Sequence, residues 1–173
     1  SSDLLLMCVT GPGGSGKSHV VKCSRLYCKA FCDNIGQPFN FSVFPVTATS
    51  NSAASLIHGI TIHSAALLNT QFVQIEKSTE VDWTIAKALI IDEISMADKS
   101  MFPKLDKNLR ILTGNKSLIY GGLHIIFFGD FMQLAPVQGT PIYSTFDDIL
   151  WHGVLNRSEE HTSELQSPCN LVC

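Results

Sequence analysis

Leu4-Leu5-Leu6-Met7-Cys8-Val9-Thr10, running straight into Gly11-Pro12-Gly13-Gly14-Ser15-Gly16-Lys17-Ser18, is the stretch that decides the fold. The first part is apolar and uncharged, which predicts a buried strand, and it is far shorter than the roughly 20 residues a membrane-spanning helix needs. A glycine-rich turn follows over 11–16. The pattern then changes at Lys17, where a helix is expected to run to about residue 32 with Val20, Val21, Leu26, Ala30 and Phe31 supplying much of its buried face. The turn fits GxxxxGK[ST] between a strand and a helix, the setting in which that pattern has a mechanism. Gly11, Gly13, Gly14, Ser15 and Gly16 let successive backbone N–H groups point inward around phosphate oxygens, and the helix amino terminus adds a favourable dipole. Lys17 then reaches the β- and γ-phosphates, and Ser18 offers its hydroxyl to Mg²⁺. A glycine-rich turn without a ligand is the plainer alternative.

Further along, Asn34, Gly36 and Pro38 break the helical pattern, and FSVFPVT (41–47) reads as a second strand with Pro45 near its end. Ser50 is placed to cap a short helix reaching about residue 57, and TIHSAALL (61–68) reads as the start of another. Residues 69–85 show no clear period and read as a surface connection pinned by Trp83. ALII (88–91) is a continuous apolar run ending at Asp92-Glu93, as expected for a central parallel strand whose carboxyl end faces a crevice. Met101, Phe102, Leu105, Leu109 and Ile111 recur at roughly helical spacing over 99–112, and LHIIFF (123–128) is the next buried strand. Strands alternating with helices predict an α/β domain with a mainly parallel sheet flanked by helices.

Composition narrows the class. The chain has 173 residues, 45% apolar and 16% charged, with formal net charge −3, which suits one domain with a real core rather than a disordered acidic chain or a basic arm. No Lys/Arg run supplies a broad field, so any contact with nucleic acid must use a few placed groups. Among the six cysteines, Cys23, Cys28 and Cys32 fall on the predicted helix without CxxC spacing, and they read as buried thiols rather than as metal ligands. Nothing resembles a signal peptide, and no membrane association is expected. Ser1 in place of Met leads to the expectation of native residues upstream.

Two further blocks carry chemistry. Asp92-Glu93, closing an apolar strand, can divide the work of a phosphate site: Asp92 holds the magnesium shell, and Glu93 orients and deprotonates the attacking water. By itself the pair also fits a charge cluster at a helix start. Gln133, in Phe128-Gly129-Asp130-Phe131-Met132-Gln133-Leu134 after the third predicted strand, can place its amide near a γ-phosphate; Asp130 and Gln133 equally fit ordinary loop polar groups.

GPGGSGKS, VTATSNSAASLIHGITIHS, LIIDEISMAD and GGLHIIFFGDFMQLAPV occur in the order in which Pif-type (petite integration frequency) DNA helicases of superfamily one, including those of Helitron-like elements, carry motifs I, Ia, II and III. The chain resembles that family over about residues 4–156. The resemblance implies a RecA-like phosphate-loop NTPase domain over 1–156, the first of two in a helicase. It also implies ATP and Mg²⁺ as cofactors, single-stranded and duplex DNA as partners, and 5′-to-3′ translocation. A nuclear location and a role in DNA repair, recombination or telomere maintenance are implied in the same way. Under it, Lys17, Glu93 and Gln133 act in catalysis, with Ser18 and Asp92 on the metal. The second RecA-like domain is expected beyond this chain. Ser50-Asn51-Ser52-Ala53-Ala54 stands where the family has a TGxAA-like step, and Asn51 is expected to replace glycine through left-handed geometry. Ala135-Pro136 stands where a double proline is usual. His58 and His63 read as structural or as contacts along a DNA path, and Ser50 and Ser64 as donors to DNA phosphates.

An inactive binding module and a small-molecule kinase are the rival readings. The first is opposed by the intact Lys17, Ser18, Asp92 and Glu93. The second lacks a recognisable lid or acceptor site and leaves GDFMQL unexplained. RSEEHTSELQS (157–167) resembles the in-frame translation of a common sequencing-library adapter, and Leu171-Val172-Cys173 resembles its continuation. Residues 157–173 are therefore expected to be an adapter-derived, disordered tail without function. Without them Lys+Arg is 11 and Asp+Glu is 12, a net charge of about −1.

Overall fold

The computed structural model describes residues 4–69, 80–130 and 140–141. Five strands, β1 (Leu6–Thr10), β2 (Val46–Ala48), β3 (Ile60–Thr61), β4 (Ala88–Asp92) and β5 (His124–Gly129), form one sheet in the order β1-β5-β4-β2-β3. Every pairing is parallel, with Leu6 opposite Ile125, Leu89 opposite Ile125 from the other side, and Ala48 opposite Asp92. Four helices connect them: α1 (Lys17–Asn34), α2 (Asn51–Leu56), α3 (Ile62–Ala65) and α4 (Met101–Leu112). The mainly parallel α/β architecture expected from the sequence is what the chain forms.

Period-two alternation in the central strands builds two cores. Leu89, Ile91, Ile125 and Phe127 face α3 and α4, packing with Ile62, Ala65, Phe102, Leu105 and Leu109. The Phe102 and Phe127 rings meet edge to face at 5.6 Å. Ile90 and Phe128 face the other way, toward Val21 of α1 and Ala53 and Ala54 of α2. A strand buried on both faces has no polar side to show, which is why 88–91 and 125–128 read as unbroken apolar runs.

Local signals explain most boundaries. Ser50 caps α2 by accepting from Ala53 N–H at 3.2 Å, and Thr61 caps α3 by accepting from Ser64 N–H at 3.2 Å. Trp83 is 3% exposed and donates its indole N–H to the Ala65 carbonyl at 3.1 Å, so it anchors the segment leading into β4. The rest of that connection, 70–79, lies outside the described residues. No helix among the described residues is long and apolar enough to cross a membrane.

Four expectations are corrected. Residues 41–43 form a 3-10 turn rather than strand, because the Asn40 side chain accepts from Ser42 N–H at 2.9 Å and turns the backbone; β2 begins only after Pro45, whose carbonyl accepts from Ile90 N–H. On α1 the sheltered stripe is Val21, Ser24, Arg25, Cys28 and Cys32, whereas Val20, Leu26, Ala30 and Phe31 are exposed. Cys23 is exposed and Cys28 and Cys32 are only partly buried, so these free thiols are not fully buried as expected, although Cys28 packs against the edge of a core. Asn51 opens α2 with an ordinary negative φ and does not use left-handed geometry.

Candidate nucleotide-binding site

The glycine-rich loop leaves β1 where Gly11 N–H donates to the Gly129 carbonyl of β5 at 3.3 Å. It closes on itself through Ser15 N–H to Pro12 O at 3.2 Å, and turns into α1 at Gly16, whose φ of 90° is a conformation a side chain would strain. His19 and Val20 N–H both donate to the Gly16 carbonyl, which starts the helix. Lys17 folds its ammonium back over the loop, donating to the carbonyls of Gly11 and Pro12. An anion entering the loop meets this charge at once.

Across the cavity stands the end of β4. Asp92 is 5% exposed, and burial pushes its carboxyl above the ordinary value of 3.8, against the lowering effects of the Glu93 N–H and of Lys17. Its Oδ1 accepts from Glu93 N–H at 2.9 Å. Glu93 itself sits in left-handed geometry, φ 54° and ψ 39°, immediately before a 3-10 turn at Ile94–Met96. That geometry, uncommon for a residue with a side chain, aims adjacent carboxylates in different directions. The β2–α2 turn holds it in place: Thr49 N–H donates to Asp92 O at 3.2 Å, Thr49 Oγ1 to Glu93 O at 2.9 Å, and Ser50 Oγ to Glu93 Oε2 at 3.2 Å.

The structure therefore brings Gly13, Gly14, Gly16, Lys17, Ser18, Asp92 and Glu93 around one cavity of about 340 Å³ at the carboxyl edge of the sheet. Gly11 joins through the Lys17 contact, and Ser15 is exposed on the loop beside it. His19, Ser95 and Asp130 also line it, the last two buried. Asp130 was visible as the residue ending the third apolar run. Ser95 was not, because the 3-10 turn that brings it in leaves no periodic signature. Gln133, Ala135 and Pro136 lie outside the described residues, as does the segment 157–173.

A second cavity of about 320 Å³ lies beside the first, edged by Thr49, Ser50, His63, Asp98 and Lys104. Burial, followed by the Lys104 charge, lowers the His63 pKa, so the imidazole favours its neutral form. His58 is elsewhere: its φ of 52° and its carbonyl, accepting from Arg25 at 3.2 Å, give it a structural place in the turn after α2. Ser64 is exposed on α3 and does not line this cavity. No group of three or more His, Cys, Asp or Glu among the described residues is placed to hold a metal unaided. A cation at the first cavity would accordingly take most of its ligands from phosphate and water.

Comparison with known proteins bears on the family of the chain. The PIF1-like helicase family model matches residues 3–152. The chain is 35% identical over 136 residues to the ATP-dependent DNA helicase PIF1 of Xenopus laevis, covering 74% of this chain and 20% of that protein. It is 33% identical over 156 residues to the uncharacterized protein 030L of Invertebrate iridescent virus 6, covering 80% and 28%. The Pif1 helicase structure from Candida albicans superposes with a TM-score of 0.63 at 29% identity, over 83% of this chain and 33% of that one. The Bacteroides Pif1 helicase in complex with ADP-AlF3 and ssDNA gives 0.57 at 29% identity, over 79% and 30%. The chain thus spans between 20% and 28% of the curated relatives named. With four ordered motifs, a RecA-like parallel sheet and a model match over nearly its whole length, this chain belongs to the PIF1-like helicase family.

Proposed function

We propose that this chain is the first ATPase domain of an ATP-driven DNA helicase that moves 5′-to-3′ on single-stranded DNA and opens duplex DNA. The observation that carries the reading is one cavity at the carboxyl edge of the sheet, which Lys17 and Ser18 enter from one side and Asp92 and Glu93 from the other. In this reading the loop N–H groups from Gly11 to Gly16 cradle the phosphates, and Lys17 exchanges the Gly11 and Pro12 carbonyls for β- and γ-phosphate oxygens. Ser18 and Asp92 fit a magnesium ion: the Asp92 Oδ1 is engaged by Glu93 N–H, which leaves the other oxygen for a cation, and a cation relieves the cost of a buried carboxylate. Magnesium supplies charge neutralisation on the phosphate oxygens. Glu93 orients the attacking water and takes its proton, and Gln133 senses the γ-phosphate. The neighbouring cavity edged by Thr49, Ser50, His63 and Lys104 is the DNA side.

The work of unwinding belongs to the longer protein of this family, with a second RecA-like domain whose arginine completes the site; such an arginine is worth roughly 10³ to 10⁵ in rate in related phosphoryl transfer. Action in the nucleus, in repair, recombination or telomere maintenance, is the biological setting we assign. Residues 157–173 are read as adapter-derived. Two substitutions in the full-length protein test the chemistry. Lys17→Ala should abolish ATP turnover, since each charge-assisted contact it makes to phosphate is worth about 1.5–3 kcal/mol. Glu93→Gln should keep nucleotide affinity and lose hydrolysis, because shape is preserved and the base is gone. Wild-type turnover in Lys17→Ala overturns the site; equal loss of binding and hydrolysis in Glu93→Gln makes Glu93 structural.

A further inference from the structure

Ser50 stands in the wall between the two cavities. It edges the groove that also contains Thr49, His63 and Lys104, while the carboxylate it bonds, Glu93, lines the phosphate-loop cavity. The Ser50 Oγ accepts from Ala53 N–H at 3.2 Å, lies 3.3 Å from Ser52 Oγ, and donates to Glu93 Oε2 at 3.2 Å. A serine hydroxyl has one proton to give. The Ala53 N–H takes a lone pair, and because the Glu93 carboxylate can only accept, the contact to it uses that proton; a phosphate entering the groove competes for the same proton.

The backbone around Glu93 leaves little else to change. Thr49 pins the Glu93 carbonyl through its hydroxyl and the Asp92 carbonyl through its N–H, and the left-handed φ of Glu93 fixes where its side chain departs. The carboxylate torsions are what remains adjustable. The hydrogen bond from Ser50 holds one carboxylate oxygen of Glu93 toward the groove.

We propose that Ser50 is a positioning residue that restrains the Glu93 carboxylate until a nucleic-acid phosphate takes its hydroxyl, so that DNA in one cavity releases the base in the other. This rests on the reading of Glu93 as base and of the second cavity as the DNA side. The hydroxyl thereby serves as a two-position contact, either to Glu93 or to DNA, and DNA stimulation of ATP turnover follows from its having one proton.

The test is steady-state ATPase of the full-length protein with and without saturating oligothymidylate, in wild type, Ser50→Gly, Ser50→Asp and Ser50→Thr. Glycine is a tolerated N-cap, and aspartate keeps the cap acceptor while having no proton to donate at neutral pH, so α2 survives in both. The DNA-free kcat should rise about three- to tenfold in Ser50→Gly and Ser50→Asp, the range for one net hydrogen bond, with KM for ATP within about twofold of wild type. The ratio of stimulated to unstimulated rate should fall by the same factor in Ser50→Gly, and Ser50→Thr should restore it. An unchanged ratio over a stimulated wild type, or a KM shift with kcat unchanged, overturns the Ser50 inference alone. A wild type that DNA does not stimulate overturns the helicase reading together with it.

Discussion

Asp92 keeps a carboxylate where water barely reaches, and that has a measurable cost. Its folded pKa lies above 3.8 because burial disfavours the charge, so the folded chain holds a proton that the unfolded chain has already released over the interval between the two values. Stability from this residue is therefore fully present below about 3.8 and is lost as pH rises through the elevated value. Asp92→Asn keeps an acceptor for the Glu93 N–H and removes the charge. In thermal melting of the nucleotide-free protein, Asp92→Asn should raise Tm at pH 7, with the gain shrinking toward pH 4, while magnesium-dependent ATP turnover disappears. A Tm at pH 7 equal to or below wild type would show that the charge is already compensated. Lys17, Ser18, Asp92 and Glu93 were legible one residue at a time because phosphate chemistry restricts which side chains can stand after a glycine loop and at a strand end. The Ser50 contact to Glu93 was hidden, since 43 positions separate the partners and only the β2–β4 pairing brings them together.

At the scale of elements, pattern worked where burial was two-sided and failed where it was partial. β4 and β5 could be read directly as apolar runs. The 41–47 segment could not, because aromatic and β-branched residues suit a strand as well as they suit a 3-10 turn, and the Asn40 cap decides between them. On α1 the apolar residues are spread around the cylinder, and exposure of 67% at Leu26 and 53% at Phe31 shows that apolar count does not identify the packed face. The β2–β3 pairing carries a sharper constraint. A Cβ on Gly59 would lie 2.3 Å from the Val46 carbonyl oxygen, a backbone atom of β2 that has no freedom to move aside. Gly59→Ala should destabilise the domain by about 1–3 kcal/mol in urea denaturation, the usual cost of overpacking. A change below about 0.5 kcal/mol, typical of unconstrained surface sites, would show that β3 is loosely held.

At the scale of the whole molecule, the proposed single ATPase domain should bind nucleotide without turning it over. Residues 1–156 alone are expected to bind Mg·ATP weakly by calorimetry and to show neither motor-like phosphate release nor strand separation; DNA-dependent unwinding by that fragment would refute the need for a second domain. Removing 157–173 should leave the free energy of unfolding within about ±0.5 kcal/mol, and a loss of several kcal/mol would show that those residues pack on the domain. The sheet order has a consequence in time as well as in space. β1 pairs with β5, Leu6 against Ile125 and Thr10 against Gly129, so among the described strands the earliest made must wait for the last made. At about 5–20 residues per second, that delay is on the order of 6 to 24 seconds of synthesis. The phosphate loop at the end of β1 is thus encoded early and completed late, and a nascent chain halted before residue 124 should expose β1 to chaperones and proteases with no nucleotide site yet formed.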